Sequence, residues 1–369
     1  MKKQLSSIDL HFLIKELQVL KDSRIDRIYQ PEKNTIIFSF YKTNVGKKLL
    51  QINIGQSLFI ADERKEAEET LGFGMFLRKH LSGYSLFDVN QLEPERILRL
   101  SFKAKDDKKF LYIEFFGKGN VILCNEHDVI MNASEHHEFR ERAIKPKLKY
   151  VYPIMDYNIF GIDKKQLEDL FKNSKKDRIV ISLATELGLG GLYSEEICLL
   201  SNTDKNINPK NIDGKQINLI SNSIKKIIDE KIKPEVILKE AKPIDVVPFG
   251  IEFYKDCEKK PFDSFSDALS FFYSQFEEMK ETTYDRKIKE LQRIIEEQTQ
   301  TISRLKEEEK ELRDKGELIY HKYTIIKEIL EEVNKASKKY SWKEIKDKLK
   351  EHKIVKEINE KERKVVVEI

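Results

Sequence analysis

The chain has 369 residues, 40% of them hydrophobic and 36% charged, and its formal net charge is only +4. This length suffices for two or three domains, and the small net charge means that any nucleic-acid surface must come from local clustering of cations. No run of about 20 apolar residues occurs and charged residues interrupt the N-terminal segment, so we expect neither a membrane span nor an export signal. The three cysteines lie far apart without a CxxC pair, and we therefore expect a cytoplasmic protein without disulfides, metal or cofactor.

The N-terminal part alternates between helical and strand-like patterns. A helix is predicted up to residue 20, because Ser6 or Ser7 can serve as its N-cap and apolar residues recur near helical spacing. A second helix is predicted over 63–81. Strands are predicted at the apolar runs 36–40, 49–54, 97–102, 110–116 and 121–124. Gly117 and Gly119 suit a hairpin between the last two strands, and the whole pattern predicts an α+β domain over residues 1–160.

A glycine-rich turn marks the middle of the chain. Residues 161–235 are predicted to be helical, and Gly188, Gly190 and Gly191 are interleaved with leucines between two of the helices. This pattern is typical of a helix-hairpin-helix, whose tight turn leaves backbone N–H groups free to hold a phosphate. An ordinary glycine stop at a helix end explains it equally well on periodicity alone.

The C-terminal part is predicted to begin with a connecting segment and to continue as a long helix. Residues 236–283 contain spaced prolines and an aromatic-rich helix, and we expect them to pack on the N-terminal part. Apolar residues recur at steps of three and four from Ile288 to Val333, which predicts a coiled-coil arm over 284–335, about 70 Å long. Gln298 and Glu309 at its core positions predict pairing with a specific return helix, and without that helix we expect the arm to dimerise or fray.

Two stretches are rich in basic residues. Residues 336–369 form a basic segment at the tip of the predicted arm and end in a strand-like pattern, which predicts the start of a truncated domain. Residues 140–149 precede Tyr150 and Tyr152, which makes a phosphate-binding or base-stacking surface a reasonable hypothesis, although solvated charge is the commoner explanation of such runs. The cations of this cluster are Arg140, Arg142, Lys145, Lys147 and Lys149.

Catalytic motifs are missing from the sequence. No GxSxG or P-loop pattern occurs, and no cysteine has the sequence context of a nucleophile. Gly72-Phe73-Gly74 begins a GxGxx pattern, but Leu77 replaces the third glycine, which favours a helix start over a dinucleotide site. We therefore expect a binding protein and not an enzyme.

Several blocks of the sequence resemble, in order and spacing, the NFACT family, the ribosome-associated quality-control factors once called fibronectin-binding proteins. Together they span nearly the whole chain and are most similar to the archaeal branch. The blocks are Leu5-Ser6-Ser7-Ile8-Asp9, residues 72–81 with Arg78 and Lys79, residues 114–123, residues 187–196 and residues 315–320.

The resemblance implies a multidomain protein with an N-terminal domain like that of formamidopyrimidine-DNA glycosylases, a helix-hairpin-helix domain and a coiled coil. In the family, the return helix of the coiled coil follows an RNA-binding domain that this sequence lacks. Family members bind a large ribosomal subunit obstructed by peptidyl-tRNA. Many recruit an aminoacyl-tRNA that extends the stalled peptide, with the ribosome as the catalytic centre. The expected partners are therefore the large subunit, its rRNA and tRNA, and no membrane.

The resemblance also implies residues related to tRNA binding. The family has an aspartate in its first helix, which falls on Asp9. It also has an Asp-Arg pair before a strand, which falls on Glu95 and Arg96, so that this sequence has Glu where the family has Asp. Phosphate or RNA contacts are further predicted for Arg78, Lys79, the basic cluster at 140–149 and the glycines of the turn.

Two other classes of function compete with this interpretation. A nucleic-acid-processing enzyme on the glycosylase-like domain is disfavoured, because glycosylases of this type use an N-terminal proline nucleophile whereas Lys2 and Lys3 follow Met1. An adhesin or a coiled-coil scaffold is disfavoured by the expected lack of an export signal.

Overall fold

The computed structural model describes residues 2–61, 72–138, 142–279, 283–349, 353–359 and 362–368. The chain divides into two compact units, Met1–Met279 and Lys280–Ile369. A large antiparallel sheet and separate groups of helices give the α+β class that the sequence predicts.

The first unit contains a sheet of nine strands. In chain order they are β1 (Arg24–Glu32), β2 (Thr35–Lys42), β3 (Gly46–Asn53), β4 (Ser57–Ala61), β5 (Ser85–Gln91), β6 (Ile97–Ala104), β7 (Asp107–Glu114), β8 (Asn120–Asn125) and β9 (Ile130–Ala133). Their spatial order is β4-β3-β2-β1-β5-β6-β7-β8-β9, and neighbouring strands are antiparallel. Two meanders therefore meet where Arg24 of β1 lies opposite Ser85 of β5. A short ribbon of β10 (His137–Glu138) and β11 (Ala143–Ile144) follows.

The strands that the sequence predicts are confirmed as β2, β3, β6, β7 and β8. The sequence does not predict β1, because its buried and exposed residues alternate irregularly and Pro31 lies within it. The predicted hairpin turn between β7 and β8 is confirmed, with φ of +60° at Gly117 and +75° at Gly119. A Cβ on Gly119 would lie 2.1 Å from the Cα of Gly55, so close packing also requires glycine there.

Helix α1 (Ser7–Leu17) lies between two cores. Ser6 caps it, and the side chain of Asp9 completes a capping box by accepting from the Ser6 N–H, as the sequence predicts for a helix start. Leu10 and Leu13 pack in the core of the large sheet, whereas Ile8 and Phe12 pack in a second core formed by helices. Helix α2 (Gly72–Leu81) packs on the sheet; residues 63–71 of the predicted second helix lie outside the described residues.

The second core is built mainly from four helices. They are α3 (Lys164–Asn173), α4 (Ile179–Thr185), α5 (Gly190–Leu200) and α6 (Gly214–Ile228). Their positions agree with the helical pattern that the sequence predicts for residues 161–235. Ile8 and Phe12 of α1 complete this core, so the helical part shares a wall with the sheet part.

The predicted connecting segment contains a small antiparallel sheet. Its strands are β12 (Glu235–Lys239), β13 (Lys242–Val247) and β14 (Glu258–Pro261), in the order β13-β12-β14, and α7 (Phe265–Met279) follows. The sequence does not predict these strands because Pro243 and Pro261 interrupt the pattern, yet both prolines lie on edge strands, where a missing N–H is tolerated. Val236 packs in the core of the large sheet, as expected for this segment, whereas Ile237 packs in the helical core.

The second unit consists of three helices and a two-stranded ribbon. Its elements are α8 (Thr283–His321), α9 (Tyr323–Ser337), α10 (Trp342–Leu349), β15 (Val355–Asn359) and β16 (Lys364–Val367). Ile329, Val333, Ile345, Val355 and Ile358 form its core. The basic segment after residue 335 is therefore folded onto α9, and the strand predicted at the end of the chain is confirmed as β16.

The helical pattern of the predicted arm is not continuous. The helix is interrupted at Lys322, and α9 buries Ile329 instead of the predicted Leu330, which is 54% exposed. The reason is tertiary, since α9 packs in the core of the second unit through Ile329 and Val333, and of these two only Val333 lies at a predicted heptad position. On α8, predicted core residues such as Leu305 and Leu312 are exposed, and their pairing with a return helix or a second copy stays a prediction.

Candidate nucleic-acid interface

A cavity of about 640 Å³ in the first unit brings together the residues that the sequence connects with tRNA. Elements that are far apart in the chain contribute to its walls: the segment before α1, the turn before β6, the turn before α5, and β13. We call it the central cavity. Its lining includes Lys2, Lys3, Gln4, Asp9, Glu95, Arg96, Phe116, Met155, Gly188, Gly190, Gly191, Leu192, Tyr193 and Asp245.

Asp9 is fully buried in the wall of the central cavity. Its Oδ2 accepts from both the N–H and the hydroxyl of Ser6, at 2.8 Å each. Its Oδ1 accepts from the Lys2 ammonium and from the Tyr193 hydroxyl, also at 2.8 Å. Both oxygens of Asp9 therefore have partners inside the protein, and its relation to tRNA binding stays a prediction.

Lys2 and Asp245 are cavity residues that the sequence does not predict. The Lys2 ammonium donates to the carbonyl of Val246 at 2.6 Å and lies 3.8 Å from Asp245 Oδ1. Asp245 also accepts from the Tyr254 hydroxyl at 2.7 Å. The two side chains are 7% and 9% exposed, so an ammonium and two carboxylates are buried together. No local pattern could have revealed this group, since its members come from opposite ends of the first unit.

Glu95 presents a buried carboxylate with spare hydrogen-bonding capacity. The residue is 8% exposed, and its Oε1 has no hydrogen-bond partner within the described residues. Burial raises the pKa of Glu95, whereas the backbone N–H of Met155 and the charges of Arg96 and Arg142 act to lower it. The turn that carries Glu95 is tied to α1, because the Ser7 hydroxyl donates to the Pro94 carbonyl at 2.6 Å.

Arg96 is the cation on the same turn. Its Nη1 donates to Gln4 Oε1 over a long distance of 3.4 Å. Burial lowers the pKa of Arg96 and Glu95 opposes that change, but a guanidinium stays protonated at neutral pH. The exposed Lys3 lines the cavity as well, so the cavity offers two cations besides the buried Lys2.

The glycine-rich turn forms another wall. It joins α4 to α5, and Gly188 and Gly190 have φ of +72° and +75°, as expected for residues that must be glycine. A Cβ on Gly188 would lie 2.7 Å from Met155 Sδ. No side chain caps α5, and residues of its first turn line the cavity. An uncapped helix start of this kind suits an anion.

The described part of the basic cluster, residues 142–149, does not line the central cavity. Arg142 forms a bidentate pair with the buried Glu114, at 2.7 and 3.0 Å, which corrects its predicted role as a phosphate contact. Tyr150 is buried, stacks on Tyr112 at 4.1 Å between ring centroids and donates to Glu114, so it is not an exposed stacking platform. Arg140 lies outside the described residues.

The other predicted cations lie on separate surfaces. Lys145 is exposed and pairs with Glu138 at 2.6 Å, and Lys147 and Lys149 are exposed beside it. Arg78 of α2 donates to the carbonyl of Ile28, while Lys79 next to it is exposed. None of these five lysine and arginine positions belongs to the lining of the central cavity, and their role in RNA binding stays a prediction.

Two searches of the described residues bear on other kinds of site. No group of three or more His, Cys, Asp or Glu side chains there has the arrangement to hold a metal ion. Among the same residues, no helix combines the length and apolar character needed to cross a membrane.

A family model described as the NFACT N-terminal and middle domains matches residues 6–367. The chain belongs to the NFACT family. This membership confirms the resemblance drawn from the sequence blocks.

Two curated NFACT relatives illustrate the similarity. The archaeal Rqc2 homolog aRqcH of Methanocaldococcus jannaschii is 28% identical over 394 aligned positions, which cover 100% of this chain and 58% of the relative. The human ribosome quality control complex subunit NEMF is 24% identical over 94% of this chain and 35% of its own length. The chain thus spans little more than half of the first relative and about a third of the second.

Solved structures of two bacterial proteins share the fold. The fibrinogen-binding protein of Staphylococcus aureus matches with a TM-score of 0.61 and 20% identity, over 73% of this chain and 98% of that chain. The N-terminal part of the fibronectin/fibrinogen-binding protein of Streptococcus suis matches with a TM-score of 0.59 and 21% identity, over 74% and 100%. Lactococcus lactis Fpg reaches only 0.32, so the glycosylase-like description of the N-terminal domain stays a prediction.

Proposed function

We propose that this chain acts in ribosome-associated quality control, binding tRNA and a large ribosomal subunit obstructed by peptidyl-tRNA. Membership of the NFACT family supports the proposal, as do the names of the relatives, which are a ribosome quality control complex subunit and an Rqc2 homolog. Tailing of the stalled peptide by a recruited aminoacyl-tRNA, and a location in the cytoplasm, belong to the same proposal. The catalytic centre would be the ribosome, so the chain itself is not an enzyme.

One observation carries the tRNA-binding part: the central cavity joins Glu95 and Arg96 to the glycine turn before α5. Arg96, Lys3 and the uncapped N–H groups of α5 offer a phosphate both charge and hydrogen bonds. Contacts of this kind position an RNA without reading its sequence.

Glu95 supplies a contact of a different kind. A carboxylate oxygen without a partner accepts hydrogen bonds from amino groups of bases or from a ribose 2′-hydroxyl, and it repels phosphate. Arg96 would therefore contribute mainly affinity, and Glu95 mainly selectivity among tRNAs.

The experiment measures binding of a labelled tRNA panel at two salt concentrations to the parent chain and to variants. We expect Arg96→Ala to weaken binding of every tRNA by about tenfold and to reduce the slope of log K against log salt by roughly 0.7 to 0.9, since one phosphate contact is lost. Glu95→Gln should change the ranking of the tRNAs. Lys47→Ala, at an exposed position on β3 outside the cavity, is the matched control.

Two outcomes would count against the proposal. An Arg96→Ala chain that is folded and binds every tRNA like the parent would show that the site is wrongly assigned. Preferential binding of duplex DNA with an abasic site would favour the competing nucleic-acid-processing function. Copurification from a lysate tests the ribosomal part, because a quality-control factor should bring down large-subunit RNA together with tRNA.

A further inference from the structure

The group formed by Lys2, Asp9 and Asp245 joins three walls of the central cavity. Asp9 belongs to α1, Asp245 belongs to β13, and the Lys2 ammonium lies between them at 2.8 and 3.8 Å. Asp9 continues the connection to α5, since its Oδ1 accepts from the hydroxyl of the buried Tyr193 in the first turn of that helix. The ammonium thus connects α1 to β13, and Asp9 extends the connection to α5.

The fourth wall is attached to the same helix. Ser7, the first residue of α1, donates its hydroxyl to the Pro94 carbonyl at 2.6 Å and accepts from Gln91 Nε2 at 2.9 Å. The turn that carries Arg96 and the turn before α5 are therefore both anchored on the first turn of α1. The distance across the cavity depends on these two anchors.

Loss of Lys2 would double the excess negative charge of this group. With the Lys2 ammonium present, the formal charge of the three side chains is −1, and without it the formal charge is −2. All three side chains are less than one tenth exposed. Charges buried without a counter-ion are strongly unfavourable, so the walls should move apart or water should enter when Lys2 is lost.

We propose that Lys2 and Asp245 are positioning residues of the tRNA site, which act through Asp9 and Tyr193 and do not touch the RNA. This inference rests on the proposed function, because it concerns the same cavity. In this role the Lys2 ammonium compensates carboxylates inside the protein and does not contact a phosphate of the RNA.

The test is a double-mutant cycle with Lys2→Met and Asp245→Asn. Lys2→Met should weaken binding of a fluorescein-labelled tRNA transcript by about tenfold and lower the melting temperature by several degrees. The double variant restores the formal charge of the parent group, and it should therefore recover most of the affinity and of the melting temperature. Asp245→Asn alone leaves Lys2 paired with Asp9 but removes its ionic contact with β13, so it should weaken tRNA binding less than Lys2→Met does.

The salt dependence of binding separates positioning from direct contact. If Lys2 acts by positioning, the slope of log K against log salt stays at the parent value in the Lys2→Met chain, whereas loss of a phosphate contact lowers it by roughly 0.7 to 0.9. A lowered slope without rescue by Asp245→Asn overturns the inference, and so does a Lys2→Met chain that binds like the parent.

The melting temperatures of the variants keep the two proposals distinguishable. If the parent chain binds no tRNA, the proposed function fails, and the positioning role in tRNA binding fails with it. If the parent binds tRNA and the melting temperature of Lys2→Met is not restored in the double variant, only the inference about Lys2 and Asp245 fails.

Discussion

Three acidic side chains of the central cavity, Asp9, Glu95 and Asp245, differ in how their charge is compensated. Asp9 and Asp245 share the Lys2 ammonium and accept from tyrosine hydroxyls, whereas Glu95 keeps one oxygen without a partner in the described part of the chain. Fully compensated carboxylates maintain the shape of a site. A buried carboxylate oxygen without a hydrogen-bond partner lowers the stability of the protein, and such a loss of stability is typical of groups that bind a ligand.

Glu95→Gln should therefore stabilise the protein at neutral pH. Because the pKa of Glu95 is raised in the folded state above its ordinary value of 4.5, the folded state binds the proton more tightly than the unfolded state. The penalty for the buried charge is then absent below about pH 4.5 and develops as the pH rises through the folded-state pKa. We expect a gain of about 1 kcal/mol at pH 7 that disappears near pH 4, measured by urea unfolding across this range. An equal gain at both pH values would contradict the assignment.

Arg142 offers a second prediction at the scale of the residue. Its guanidinium compensates Glu114, which is 2% exposed, so Arg142→Ala should lower the free energy of unfolding by about 3 to 5 kcal/mol. Lys145→Ala removes an exposed ion pair with Glu138 and should leave the free energy of unfolding close to the parent value. Urea unfolding measures both. Similar small losses for the two variants would indicate that Arg142 is a surface cation after all.

Among the elements, α1 has the largest part in building the site. Its capping box uses the same Asp9 that holds Lys2 and Tyr193, so a local helix start and a tertiary junction depend on one carboxylate. Its two apolar faces lie in different cores. Any shift of α1 would therefore disturb the packing of both the large sheet and the helical part.

The β7–β8 hairpin gives a prediction at the scale of the element. Gly119 combines φ of +75° with a backbone approach to Gly55 that leaves no room for a Cβ. Gly119→Ala should cost roughly 2 to 4 kcal/mol, from backbone strain together with overpacking. Gly190→Ala has a similar φ of +75° but no atom within 4 Å of the added Cβ, and we expect it to cost only about 1 to 2 kcal/mol. Thermal unfolding of both variants would show whether close packing at Gly119 adds a loss of stability to the one that positive φ causes at both positions.

At the scale of the whole molecule, the two compact units present different kinds of surface. The first unit holds the central cavity. The second contains the 39-residue helix α8, about 58 Å long, along which apolar residues such as Leu305 and Leu312 are exposed. A long surface of this kind is suited to a large partner or to a pairing helix.

Deletion of residues 280–369 should separate the two proposed activities. We expect a chain of residues 1–279 to keep its affinity for tRNA and to lose its binding to obstructed large subunits, because the arm would supply the contacts to the ribosome. Sedimentation with purified subunits and tRNA anisotropy would measure this, with circular dichroism as the control for folding. Equal binding of obstructed subunits by the shortened and full chains would contradict the role of the arm.

Local sequence patterns determined the family of this protein and many of its elements, whereas tertiary structure decided the chemistry of its cavity. The Ser6 cap and the Gly117–Gly119 turn depend on a few neighbouring residues, so both can be recognised in the sequence. The sequence does not predict the role of Arg142, because it cannot distinguish a surface cation from a buried counter-ion. The tertiary contact with Glu114 decides between the two. Likewise, Lys2 and Asp245 acquire their partners only when β13 packs beside α1, since burial turns an ordinary charge into one that must be compensated.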